Sequence, residues 1–201
     1  NLSNEKSIET NAFIGYQKEK FTTKISSSFF RISDYIIGTP DTALIPMTIG
    51  ASGVKLYTAL SYATIFNVDW NSELTLSKSL KWNFGLLYSV GKDSNGHNLP
   101  LINPLSYKTA LTFTKPKYNA AVECQGHAAQ TRYGDVYGET NTADFALLNA
   151  NFGYKLVFSG SRLYTKIGVE NLLDAHYTTY ADWNKIPRMG RNVFINLNFN
   201  L

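Results

Sequence analysis

The chain has 201 residues, of which 44% are hydrophobic, 14% aromatic and only 17% charged; the formal net charge is +4 and the mean hydropathy −0.19. So few charges among so many aromatics exclude intrinsic disorder, and no window of about eighteen uninterrupted apolar residues exists to span a bilayer as a helix. The basic residues (Lys18, Lys20, Lys24, Lys55, Lys115, Lys117 and others) are scattered and form no run, so nucleic-acid binding has no footprint.

Helical periodicity is nearly absent, and alternation of apolar and polar residues runs the length of the chain, the mark of half-buried strands. It predicts roughly nine strands, near 7–18, 20–35, 60–76, 80–91, 104–114, 118–131, 143–155, 162–173 and 190–201. In the fourth, Leu80, Trp82, Phe84, Leu86, Tyr88 and Val90 alternate with Lys81, Asn83, Gly85, Leu87, Ser89 and Gly91. The last is the cleanest: Val193, Ile195, Leu197, Phe199 and Leu201 make one apolar face, opposite Phe194, Asn196, Asn198 and Asn200. Cys124 shares parity with Ala120, Val122 and Ala128 on such an apolar face; as the one cysteine it excludes an internal disulfide or a cysteine-based zinc site.

These strands are longer than the about 5–6 residues usual in globular proteins. Twelve residues at about 3.3 Å each, tilted about 45°, cover roughly 28 Å, the thickness of a bilayer core. Tight turns at 18–20, 77–79, 115–117 and 157–161 alternate with long segments at about 38–58, 92–103, 132–142 and 174–189. Short turns on one side and long loops on the other describe an outer-membrane barrel with its short turns in the periplasm. Tyr16, Trp82, Phe113, Tyr118 and Tyr154 fall beside the short turns and Tyr88 and Tyr107 towards the long ones, where aromatic girdles belong. An odd strand count cannot close a barrel of the usual even-numbered kind, and open edges in lipid cost several kcal/mol per unpaired group. The opening Asn1–Lys6 carries no signal-peptide pattern. The chain is therefore expected to be a fragment that further strands complete.

The segment Gly168-Val169-Glu170-Asn171-Leu172-Leu173-Asp174-Ala175-His176-Tyr177, followed by Gly190-Arg191-Asn192-Val193 and a final alternating strand, resembles the C-terminal end of TonB-dependent outer-membrane receptors. Leu173 stands where that family carries Phe, and Leu201 ends the chain where an aromatic is usual. Further pieces fit in order: Asn1–Ser7, Phe30–Ile36, Leu99-Pro100 with Asn103-Pro104, and Gly138-Glu139 with Thr142. The resemblance implies an all-β, antiparallel transmembrane β-barrel of 22 strands around an N-terminal plug, with residues 1–201 as about the last nine strands and without the plug. It implies active uptake of a scarce nutrient across the bacterial outer membrane, a metal chelate such as an iron siderophore, haem or a vitamin, as transported cargo rather than intrinsic cofactor. The implied partners are the TonB-ExbB-ExbD energy-coupling complex reached through the missing plug, the remaining barrel strands, and lipopolysaccharide or other outer-membrane lipid. The alternatives are a passive porin-like barrel and a soluble β-rich binding domain.

Strand parity assigns Glu9, Lys24, Asp69, Glu73, Lys81, Lys108, Glu123, His127, Lys155, Lys166 and Glu170 to the polar, lumen face. Of these, Asp69, Glu73, Lys108, Glu123, His127, Lys166 and Glu170 are candidates for plug contact. The long segments supply His97, His176, Tyr177, Tyr180, Trp183 and Met189 as ligand candidates, because imidazole and thioether suit haem iron or copper and aromatic rings stack on aryl groups. No metal-ligand spacing occurs among them. Arg31 and Arg191 lie near the long-segment ends of outward faces, placed for lipopolysaccharide phosphates. No Gly-x-Ser-x-Gly elbow or other catalytic constellation is present, so no enzyme is expected.

Overall fold

A computed structural model describes residues 2–49 and 53–200. Nine strands form one antiparallel sheet in chain order: β1 (Lys6–Lys18), β2 (Phe21–Asp41), β3 (Val54–Ser77), β4 (Leu80–Asp93), β5 (Ser106–Thr114), β6 (Tyr118–His127), β7 (Phe145–Phe158), β8 (Ser161–Glu170) and β9 (Asn192–Asn200). Every strand pairs with the next, and the sheet is open, with β1 and β9 at its edges. Leu201, expected to close the apolar face of the last strand, lies outside the described residues, as does Asn1.

The registers carry one face across all nine strands. Ile14 opposes Ile25, Ile25 opposes Trp70, Trp70 opposes Leu86 and Leu86 opposes Tyr107. At the other end Ala150 opposes Val122 and Val169, and Val169 opposes Val193. On this outer face Ile14, Phe29, Phe66, Phe152, Ile167 and Ile195 are all exposed, a continuous apolar band of a size that marks a lipid contact. Cys124, paired with Leu148 and Thr109, sits on it, as its parity predicts.

Several boundaries differ from the sequence expectation: β7 runs on to Phe158 instead of 155 and β8 stops at Glu170 instead of 173. The first long segment is shorter than predicted, because β2 runs on to Asp41 and β3 begins at Val54. At about 3.3 Å per residue and 45° tilt, a strand of β3's 24 residues rises roughly 55 Å, well beyond a bilayer core. β6 stops at His127, so residues 128–131 belong to the segment that follows it. The phase of β2 and β3 also changes. Their register holds from Ser33–Tyr62 to Tyr35–Leu60, yet Tyr35, Ile37 and Leu60 pack in one cluster with Ala63 and Ile65, which lie on the inner face. The switch falls at Asp34, whose φ of 55° is one that Asp tolerates better than most residues. It turns the projecting hairpin inward, and the small core of Ile37, Ala63, Leu99 and Tyr137 forms there.

Candidate functional site

Three of the four long segments fold onto the inner face at one end of the sheet; two buried carboxylates tie the β4–β5 and β6–β7 segments together, and Lys185 and Trp183 hold the third over them. Asp93, at the end of β4 and 5% exposed, accepts hydrogen bonds from the Asn95 and His97 amides at 2.8 Å, from His97 Nδ1 at 3.0 Å and from the Tyr137 hydroxyl at 2.5 Å. Burial alone would raise the Asp93 carboxyl, but these donors outweigh it and hold the group below its ordinary value. Burial and the same contact push the Tyr137 hydroxyl up. Tyr137 closes a single 3-10 turn, Asp135–Tyr137, capped by Gly138 at a φ of 78°, a conformation that favours glycine. The turn lays the Tyr137 ring on Ile37 and Ala63.

Glu139 is the second hub. Its carboxylate accepts from the Gly134 amide at 2.7 Å, the Leu101 amide at 3.0 Å and Gln130 Nε2 at 3.2 Å, so it joins the β4–β5 and β6–β7 segments. Gln130 accepts from Thr142, and Lys185 Nζ donates to the Thr142 hydroxyl and to the Thr140 carbonyl. Trp183 lies over Lys55 of β3, with Nζ 3.4 Å from the ring. The segment after β8 thus reaches back across the inner face to a strand five positions away in the sheet. Burial lowers the Lys55 ammonium, and nearby Glu139 partly offsets this.

Below this cover lies an aromatic recess of about 490 Å³ on the inner face. His127, 5% exposed, meets the Phe145 ring edge-on at 4.2 Å and Tyr180 at 6.2 Å, and Phe145 meets Tyr177 at 4.4 Å. His127 Nδ1 lies 3.0 Å from the Ala128 carbonyl. A carbonyl only accepts, so Nδ1 carries a proton, and in the neutral ring Nε2 is then an acceptor. That Nε2 is buried with no hydrogen-bond partner among the described residues. Lys108, Gln125, Asp69 and Leu147 line the rest of the recess.

The sequence candidates separate along these lines. Tyr177, Tyr180 and His127 come together in the recess. Trp183 is spent on Lys55 and His97 on Asp93, while His176 is exposed and Met189 is 73% exposed. Among the described residues no group of three His, Cys, Asp or Glu could hold a metal ion. The lumen candidates all fall on the inner face, where several pair within the wall: Lys108 with Glu123 at 2.8 Å, Glu73 with Lys81 at 2.6 Å, and Glu170 with Asn192 at 3.3 Å. Arg31 stacks 4.0 Å over Tyr62, and Arg191 Nε donates to the Leu172 carbonyl at 2.9 Å. Sequence reasoning missed Asp93, Phe145 and Lys185, and noted Tyr137's neighbours Gly138-Glu139 only as part of a resemblance; the Asp93-x-Asn95-x-His97 spacing is a local turn signal, but nothing local announces that Tyr137, 44 residues on, buries the carboxylate.

The motif that carried the resemblance proves to be structural. Asn171, at a φ of 50°, exchanges hydrogen bonds of 2.8 Å with Ala175 in both directions, and Asp174 Oδ1 accepts the Arg191 amide at 2.7 Å. Asn171, Asp174, Gly190 and Arg191 therefore clamp the two feet of the segment that carries Tyr177, Tyr180 and Trp183.

No protein-family model and no curated protein matches the sequence. Solved structures match along its full length. The copper transporter OprC superposes on 100% of this chain over 32% of its own, at TM-score 0.87 and 20% identity. The FrpB iron transporter from Neisseria meningitidis matches 98% of this chain at TM-score 0.70 and 13% identity. A mutant of the ferric enterobactin receptor PfeA from Pseudomonas aeruginosa matches 96% at 0.72 and 16%. FrpB and PfeA are each covered over 31% of their length, so this chain spans about a third of the structures it matches. The fold is that of a TonB-dependent receptor barrel wall, as the resemblance implied. These neighbours are transporters and receptors of metals and siderophores, not enzymes.

Proposed function

We propose that residues 1–201 are the C-terminal wall of the barrel of a TonB-dependent receptor that carries an organic metal chelate across the outer membrane. The observation that carries this reading is the pairing of an apolar outer band with an inner face capped at one end by the long segments. A lipid-facing barrel needs the first, and a gated vestibule uses the second. Open edges at β1 and β9 call for further strands in a bilayer, where unpaired backbone is costly. In that assembly Asp69, Glu73, Lys108, Glu123, Lys166 and Glu170 face the plug, and TonB-ExbB-ExbD acts through it.

The recess of His127, Phe145, Tyr177 and Tyr180 is this chain's share of the ligand site. It offers aromatic faces and one buried acceptor, which suit an aryl or heterocyclic part of a chelate better than a bare ion. In the intact receptor, His127→Ala and Tyr180→Ala should each weaken binding of ferric catecholate or haem probes by roughly two- to tenfold, read by isothermal titration. Binding of every metal-chelate probe unchanged in both variants would overturn the site assignment. Intact mass of the parent polypeptide tests the larger claim: several hundred upstream residues with a plug are expected, and a natural chain starting at Asn1 would sink it.

A further inference from the structure

The tight turns gather a charge that the sequence disperses. Residues 18–20, 77–80, 115–118 and 158–161 contain Lys18, Lys20, Lys78, Lys115 and Lys117 against one acid, Glu19. The long segments are nearly balanced, with Arg132, Lys185, Arg188 and Arg191 facing Asp135, Glu139, Asp144, Asp174 and Asp182. The net charge of +4 is thus the charge of one end of the molecule.

Antiparallel pairing sets these turns side by side. The Lys20 carbonyl accepts the Thr75 amide at 2.7 Å, the Ser79 carbonyl accepts Thr114 at 2.8 Å, and the Lys117 carbonyl accepts Lys155 at 2.6 Å, so each turn is stitched to the next hairpin. Neighbouring turns are two strands apart, roughly 10 Å, about one Debye length at physiological salt. Their potentials therefore add. Among the described residues none of the five lysines joins a salt bridge; Lys115 lies 6.0 Å over the Phe113 ring. Directly beside them on the outer face stand Tyr16, Trp82, Phe113, Tyr118 and Tyr154, with Phe113 tilted against Tyr118 and Tyr118 stacked against Phe152.

We infer that the lysines of the tight turns form a basic collar that binds anionic phospholipid headgroups in the leaflet next to those turns. The inference rests on the membrane-spanning reading above. The aromatic row fixes where the apolar band meets water, and the lysines stand at the depth of the phosphates, each drawn to an anionic surface. Lysine suits this role, since a flexible ammonium can follow a fluid layer of headgroups.

The test uses the intact parent receptor reconstituted in vesicles, with quenching of Trp82 by brominated lipids, taken as the difference from a Trp82→Phe variant. Brominated phosphatidylglycerol should quench at a local concentration roughly fivefold above that of brominated phosphatidylcholine. Replacing the five lysines by Gln should abolish the preference, replacing them by Arg should keep it, and about 0.5 M salt, where the Debye length is roughly 4 Å, should weaken it. Equal quenching by both lipids would overturn the collar while leaving the membrane reading intact. A preference surviving the Gln variant would also overturn it. No quenching by any brominated lipid would remove the membrane reading and the collar with it.

Discussion

Asp93 shows how much one side chain decides. Its carboxylate takes four donors from two segments in a buried hub, and removing one leaves a buried acceptor short, at about 1–3 kcal/mol. Tyr137→Phe should therefore speed hydrogen exchange at the Asn95 and His97 amides while leaving the strand amides of β4 unchanged. The pH dependence has a definite direction. Because the folded hub holds the Asp93 carboxyl below its ordinary value, it binds that proton more weakly than the open segment does. Its contribution is complete above the usual carboxylate range, about 3.9, and falls as pH drops below it. Protection at those amides, taken relative to intrinsic exchange at each pH, should fall on acidification, and Asp93→Asn should remove that dependence; pH-independent protection in the unaltered protein would refute the assignment. His127 is the opposite case, a buried ring with an acceptor left unmet, and such an atom is retained only where something else meets it or uses it.

At the scale of strands, register and side-chain size do the work. The Phe194 ring of β9 lies over Gly168 of β8, where an added Cβ would collide with ring carbon Cζ and stand 3.2 Å from the Ala150 carbonyl. Tyr164 covers Gly153 in the same way, tied to Asn119 at 3.0 Å. An aromatic laid over a glycine pins register and fills the gap on the inner face. Gly168→Ala should displace Phe194 and cost about 1–3 kcal/mol of overpacking. It should lower the temperature at which the intact barrel loses its compact migration in unheated detergent gels; an unshifted transition would show that the ring moves aside freely. Alternation made most strands legible from the sequence, since period two is what a two-faced sheet demands. The projecting ends of β2 and β3 were not legible: beyond Asp34 both phase and solvent change, so the lipid-and-lumen pattern stops while the pairing continues.

For the whole molecule the decisive feature is the reach of the segment 171–191. Clamped at its feet by Asn171 and Asp174, it spans the inner face to Thr140, Thr142 and Lys55. The Trp183–Lys55 contact is worth about 0.5–2 kcal/mol, depending on how far it is desolvated. A double variant, Trp183→Ala with Lys185→Ala, should free this strap: its amides should exchange faster and the His127 recess should admit chelate probes with a higher association rate. Unchanged protection across 177–186 would mean that the clamped feet alone hold it.

The sequence by itself determined the sheet, its two faces and the alternation of tight turns with long segments, because these follow from local periodicity and turn chemistry. It also placed the lumen charges, whose parity is a local property. Only the tertiary structure decided that Tyr177 and Tyr180 meet His127 and Phe145, and that Asp93 and Glu139 are hubs. Each of these joins residues tens of positions apart, and contact between such residues is set by register and chain path, which no window of sequence contains.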